Sequence, residues 1–455
     1  MKVRKITERK REKSPNRLTS EAKLWYNCAV MASYRKRIAD DILEYKLSAM
    51  GAVLVEGAKW CGKTTTCEQH AKSVLYMADP ATRNQNLKRA ELDIYSLLSG
   101  AKPRLIDEWQ DAPKLWDAIR FAVDHGDEGS GQFILTGSAV PPRADEISHT
   151  GTGRFARIKM RPMSLWESGE SSGEVSLGEL FGGNRSATAS GINLALDDLA
   201  FVCCRGGWPQ SVGRKGERAL ITAREYYEGV VESDITRADE IPRAPDRVRR
   251  LMRSCARLQG TQSNLAAIRK DLQANDVRSL DEDTIHSYVT ALKKIFVIED
   301  LPAWNPDLRT KGSIRTTDTR YFVDPSIAAA ALGVGPGNLV NDIRSFGFFF
   351  EALAIRDLRV YMDALRGRVE RYHDKTGLEC DAVLHLSNGE YGLVEIKLGG
   401  ETLTNEGIVT LHKLNGLIKA KGMKEPKFMM VLTGTGSFAH KEDGVFVCPL
   451  SALKQ

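Results

Sequence analysis

Residues 57 to 64 read Gly57-Ala58-Lys59-Trp60-Cys61-Gly62-Lys63-Thr64, and the apolar run Ala52-Val53-Leu54-Val55 leads directly into them. A buried strand feeding a glycine-spaced turn at the start of a helix brings backbone N–H groups and one ammonium to a single point, the chemistry that grips a phosphate chain. Gly57 and Gly62 leave out the Cβ where the backbone must pass close, and Ala58, Lys59, Trp60 and Cys61 fill the turn between them. Lys63 reaches the outer phosphate oxygens, and Thr64, followed by Thr65, offers a hydroxyl to a phosphate-bound Mg2+. These spacings predict a nucleotide binder.

Hydrolysis needs a second, acidic strand. In Leu105-Ile106-Asp107-Glu108, Asp107 at a strand end is placed to reach the metal, and Glu108 to orient the attacking water or take its proton. A further strand, Gln132-Phe133-Ile134-Leu135, ends in Thr136-Gly137-Ser138. Either Ser138 or Thr136 could sense the terminal phosphate there, or the segment is an ordinary turn after a core strand.

A second constellation lies near the carboxyl terminus. Glu351 interrupts the apolar stretch Phe348-Phe349-Phe350, Asp381 opens the strand Ala382-Val383-Leu384, and Glu395-Ile396-Lys397 ends the strand that follows the turn Ser387-Asn388-Gly389-Glu390. A hairpin would bring Asp381 beside Glu395, and strand alternation puts Glu395 and Lys397 on one face. This pattern resembles the PD-(D/E)xK nuclease core. The resemblance implies an α/β restriction-endonuclease-like domain in which Asp381 and Glu395 share Mg2+, Lys397 handles the attacking water and Glu351 completes the site. The match is loose, since Glu379-Cys380 precedes Asp381 where the motif has proline, and an exposed salt-bridge pair on an amphipathic strand is the plainer alternative.

Arg37-Ile38, the phosphate loop, Leu105 through Pro113, Ile134 through Ser138, Gly153-Arg154 and Arg161-Pro162-Met163-Ser164-Leu165-Trp166-Glu167 resemble successive signatures of prokaryotic AAA-type ATP-binding proteins. The resemblance implies ATP as the nucleotide, with Ser138 similar to a sensor residue. Arg154 would then sit where such proteins carry an arginine able to stabilise charge on the transferring phosphoryl group. Such proteins often act as rings, which leaves the assembly state open.

The elements that must position these groups divide the chain as follows: a basic disordered tail over 1–20, an AAA-type P-loop ATPase domain with a parallel sheet over 21–167, a Gly/Ser-rich linker or loop over 168–193, a helical and winged-helix region over 194–335, and the nuclease-like domain over 336–455. The winged-helix reading rests on basic residues 247–258, a second helix over 264–272, a third over 283–294 with Asp283 as its cap, and strands over 296–301 and 319–324. Such a module packs on protein or lays its third helix on DNA through Thr284, His286, Ser287 and Lys293 or Lys294. Arg247, Arg249, Arg250, Arg253 and Arg257 would be the better phosphate-contacting set.

Composition does not oppose this. A net charge of +6 over 455 residues decides no partner, and no run reaches the roughly 18 apolar residues of a membrane span. The eight cysteines form no CxxC pair, which favours reduced thiols in the cytoplasm over a zinc site. Cys61, inside the loop, is the thiol where an adduct would block nucleotide.

Overall fold

The computed structural model describes residues 34–455 apart from 127–128, 141–146, 148–149, 185–193, 262–263, 276–279 and 306–317. The tail expected over 1–20 therefore lies outside the described residues. Residues 37–455 form one compact unit.

Five short strands make the first sheet: β1 (Ala52–Glu56), β2 (Ser73–Tyr76), β3 (Arg104–Asp107), β4 (Phe133–Gly137) and β5 (Phe155–Lys159), all parallel in the order β2-β3-β4-β1-β5. Alternation explains why they read as unbroken apolar runs. Ala52, Leu54, Ile106, Phe133 and Leu135 enter one core, while Val53, Val55, Leu105 and Ile134 enter another, so both faces are covered. The helices α1 (Ile38–Ala49), α2 (Lys63–His70), α3 (Arg83–Leu92) and α4 (Leu115–His125) accompany this sheet. The phosphate loop leaves the carboxyl end of β1 and opens α2.

The segment expected to be an exposed linker is partly built into the fold. The two-residue strand β6 (Val175–Ser176) pairs parallel with residues 453 and 454, Ser171 Oγ donates to Leu453 O at 2.7 Å, and Leu177, Leu180 and Phe181 are buried. Its small polar residues serve close backbone pairing rather than reach; residues 185–193 are outside the description.

The middle region carries α5 (Leu196–Arg205), α6 (Glu217–Gly229), α7 (Pro245–Arg257), α8 (Leu265–Asn275) and α9 (Glu282–Lys294), then the antiparallel pair β7 (Ile298–Leu301) and β8 (Thr319–Phe322), and α10 (Pro325–Leu332). The cap of α9 is Asp281, whose carboxylate accepts from Thr284 N at 2.7 Å, rather than Asp283, which sits inside the first turn. The arginines of α7 are largely engaged. Arg249 pairs with Glu228 and Glu232, Arg257 with Asp271, and Arg253 donates to Ala331 O.

The long helix α11 (Ile343–Ala364) leads into a six-stranded mixed sheet formed by β9 (Gly367–His373), β10 (Glu379–Leu386), β11 (Tyr391–Lys397), β12 (Met429–Thr433), β13 (Ala439–His440) and β14 (Val445–Pro449), with α12 (Glu401–Ala420) before β12. The order is β13-β14-β12-β11-β10-β9, parallel among β11, β12 and β14 and antiparallel at either side. Helix α11 packs with the middle region in one continuous core, whereas Ile408, Leu411, Leu414 and Ile418 of α12 cover the other face. The terminal strand β15 (Leu453–Lys454) completes the pair with β6. Among the described residues no helix is long and apolar enough to cross a membrane.

Candidate functional site

The turn after β1 uses its glycines as the spacing requires. Gly57 has φ +156 and Gly62 φ +103, and a Cβ on Gly57 would stand 2.0 Å from Met160 O, so no larger residue fits there. Lys63 is folded back into the loop, its Nζ donating to Gly57 O and Ala58 O at 2.9 Å each. Cys61 is fully buried with Sγ 3.5 Å from Met160 O, so the folded loop is closed to an adduct there. Thr65 follows Thr64 in the first turn of α2.

Beside the loop, Asp107 Oδ1 accepts from Thr64 Oγ1 at 2.7 Å and from Thr136 Oγ1 at 2.6 Å. Burial raises the Asp107 carboxyl above its ordinary range, against the pull of those two hydroxyls. Among the described residues no three His, Cys, Asp or Glu side chains gather as a metal cluster. The loop offers instead one hydroxyl and one carboxylate, the sparse oxygen set that suits Mg2+ with phosphate oxygens and water. The glycine cradle, Lys63 and this pair fit a magnesium-bound phosphate chain.

Glu108 sits in the left-handed region, φ +54 and ψ 49, a conformation that costs a non-glycine residue energy and turns its side chain off the strand. Its N–H donates to Thr136 Oγ1 at 3.2 Å and its Oε2 accepts from Ser138 Oγ at 2.9 Å and from Gln110 Nε2. Thr136 and Ser138 thus both serve the acidic pair, one from below and one at the rim. The cleft in front of Glu108 and Ser138 holds about 1020 Å³ and is walled partly by Tyr226, Asp234, Arg237 and Ile295 of the middle region.

Two loop residues reach that wall. Lys59 Nζ pairs with Asp234 Oδ1 at 2.6 Å, and the half-exposed Trp60 meets Tyr226 edge-on with ring centroids 6.0 Å apart. Behind the loop, Arg37 is 4% exposed. Its Nη1 donates to Cys61 O at 2.8 Å, its Nη2 to Arg161 O at 2.9 Å and its Nε to Glu167 Oε1 at 2.9 Å. Arg37 and Glu167 are thereby supports of the loop, which spacing alone did not reveal.

Arg154 is not brought to this site. Ala52 N donates to Arg154 O, and the β1–β5 register runs from Ala52↔Phe155 to Glu56↔Lys159, so Arg154 stands at the amino end of the sheet and the loop at the carboxyl end. Its guanidinium pairs with Asp124 at 2.7 Å. A role at its own chain's phosphate loop is excluded by that geometry.

The carboxyl-terminal constellation does assemble. Asp381 Oδ2 accepts from Ile396 N at 2.8 Å, and Lys397 Nζ lies 2.8 Å from Glu395 Oε2 and 3.6 Å from Asp381 Oδ2. Glu395 is 3% exposed, and its Oε1 is buried without a hydrogen-bond partner. Glu351 joins from α11, but a cation that the motifs did not anticipate stands between. Arg371 Nη1 donates to Glu351 Oε1 at 2.9 Å and to Gly260 O at 2.9 Å, and its Nη2 lies 2.7 Å from Glu379 Oε2 and 3.6 Å from Asp381 Oδ1. Tyr321 of β8 donates to the same Glu351 oxygen at 2.5 Å. Burial raises both Glu351 and Glu395, and it works against the Lys397 ammonium, which Asp381 and Glu395 nevertheless hold above its usual range.

With this geometry in view, comparison with known proteins adds the following. Residues 50–168 match the model of an AAA domain, and residues 196–338 match a domain of unknown function (DUF8612). No curated protein matches the chain. Among solved structures it is similar to a Walker-type ATPase of Pyrococcus abyssi at 15% identity and a TM-score of 0.39, over 64% of this chain and 94% of that one. It is also similar to a RuvB variant of Thermotoga maritima at 15% identity and a TM-score of 0.25, over 62% and 90%. A third is the Orc1 protein of Aeropyrum pernix in complex with DNA, at 12% identity and a TM-score of 0.19, over 70% and 93%. The amino-terminal domain is an AAA-type P-loop domain of ATPase-like build.

Proposed function

We propose that the protein is a magnesium-dependent ATPase whose nucleotide state controls its carboxyl-terminal region. The observation that carries this is the continuous chain of hydrogen bonds from Thr64 through Asp107 and Thr136 to Glu108 and Ser138, which links phosphate loop, metal ligand and water-orienting acid. Thr64 and Asp107 would hold Mg2+, which when bound would supply neutralisation of charge on the phosphates. Lys63 leaves the Gly57 and Ala58 carbonyls for phosphate oxygens, Ser138 orients Glu108 at the rim, and Glu108 takes the proton of the attacking water. Calorimetry with ATP and Mg2+ tests the binding step, which Lys63→Ala should abolish. Glu108→Gln should bind ATP within about threefold of wild type yet lose at least about 100-fold in phosphate release. Binding that survives Lys63→Ala would sink the proposal.

The carboxyl-terminal region reads as a restriction-endonuclease-like domain following a winged-helix module, on the strength of Glu351, Asp381, Glu395 and Lys397 meeting beside a mixed sheet. Whether it cuts DNA or serves only to hold DNA or protein turns on Arg371. A guanidinium among the carboxylates neutralises the charge that would draw a metal, which favours a centre inactive as it stands. Supercoiled plasmid with Mn2+ separates the readings: nicking by the wild type that Lys397→Ala removes supports an active nuclease, and no nicking by either supports the binding module.

A further inference from the structure

We infer that Gln110 is a positioning residue of the hydrolytic step, a role resting on the ATPase reading above. Gln110 follows the acidic pair in the one-turn helix Trp109–Asp111, which Trp109 anchors by packing on Trp116 with ring centroids 5.2 Å apart. Its Nε2 donates to Glu108 Oε2, the oxygen that also accepts from Ser138 Oγ at 2.9 Å. With Ser138 N–H donating at 3.4 Å as the third, three donors on one oxygen fix the carboxylate plane and leave Oε1, which takes no hydrogen bond among the described residues, for a donor from the cleft that Glu108 and Gln110 both line.

The other end of the amide is also informative. Gln110 Oε1 is buried with no partner, an arrangement that costs roughly 1–3 kcal/mol unless something donates to it. The room for it is supplied by Gly137, where an added Cβ would stand 3.2 Å from both Gln110 Oε1 and Trp109 Nε1. That amide oxygen is closed to solvent against Gly137, so the amide serves to hold Glu108, and a water at Glu108 Oε1 would donate one hydrogen to that carboxylate oxygen. Its oxygen lone pair would then be turned to the terminal phosphorus. As the new P–O bond forms, the bond to the bridging oxygen breaks, ADP leaves with the electron pair, and the water proton passes to Glu108.

The test compares Gln110→Ala and Gln110→Glu with wild type. For Gln110→Ala, kcat should fall about 10- to 100-fold with KM and ATP affinity within about threefold, the pattern of an interaction used in the transition state. The ADP–aluminium fluoride complex, a readout without turnover, should dissociate at least about tenfold faster. Removing a donor from the Glu108 carboxylate, or placing a second carboxylate beside it, should move the acid limb of the kcat–pH profile upward, further for Gln110→Glu than for Gln110→Ala. A purely structural role would leave that limb in place. If Gln110→Ala does not fold, the isosteric Gln110→Glu decides alone. Turnover in the wild type with an unmoved limb in Gln110→Glu overturns this inference only, whereas absence of turnover in the wild type overturns the ATPase reading with it.

Discussion

Single residues carry most of the chemistry, and their burial sets its pH response. Glu351 lies among Arg371, Tyr321 and Asp381, and burial lifts its carboxyl from 4.5 to about 7. The protonated form is therefore favoured in the folded state. Its contribution to stability is fully present below pH 4.5 and is lost as pH rises through about 7, because the unfolded chain releases the proton first. Thermal melts of Glu351→Gln should gain on wild type between pH 5 and pH 8, by about 1 kcal/mol or more; a difference that stays constant across that range would refute this. At this scale the sequence was partly legible. Lys63, Thr64, Asp107 and Glu108 follow from spacing because loop and strand end are local, whereas Gln110 and Arg371 act through contacts that no spacing encodes.

At the scale of elements, the phosphate loop depends on its supports. Arg37 closes the entrance of α1 onto Glu167 and onto the carbonyls of Cys61 and Arg161. Replacing it by alanine leaves the Glu167 carboxylate buried without its cation, which costs about 3–5 kcal/mol, and lysine lacks the fork needed to reach three partners. Both Arg37→Ala and Arg37→Lys should lower the melting temperature and weaken ATP binding together; loss of binding with an unchanged melt would show that Arg37 acts on nucleotide rather than on the loop. Strands β1, β3, β4, β10 and β11, the helices α7 to α9 and the antiparallel pair were readable from periodicity, whereas β2, β5, β9, β12 and β14 were not read. The cap of α9 was displaced to Asp281, since cap choice depends on where the chain enters the helix. The polar segment after the first sheet was misjudged because its partner strand lies at residues 453–454.

Over the whole molecule, the nucleotide cleft and the carboxyl-terminal centre both touch the middle region. Val140 N, just past Ser138, donates to Lys294 O at 3.0 Å at the end of α9, and Lys59 holds Asp234. On the far side, Tyr321 of β8 and the Gly260 carbonyl close over Glu351 and Arg371. Arg161, two residues past β5 and 2.6 Å from both Glu299 and Asp363, ties the segment after β5 to β7 and α11 through an ion-pair group whose guanidinium is buried. Hydrogen exchange with and without magnesium–ATP should show added protection at residues 230–237 and 290–301; protection confined to the phosphate loop would mean that the sites are not coupled through this region.

The sequence by itself determined the phosphate loop, its acidic strand and the carboxylate–lysine pattern near the carboxyl terminus, because each depends on spacing along one strand, turn or hairpin. The tertiary structure alone decided that Arg154 stands at the wrong end of the sheet, that Arg371 enters the carboxylate cluster, and that Gln110 bonds to Glu108. Those outcomes depend on strand direction, side-chain reach and burial, which appear only once distant segments pack together.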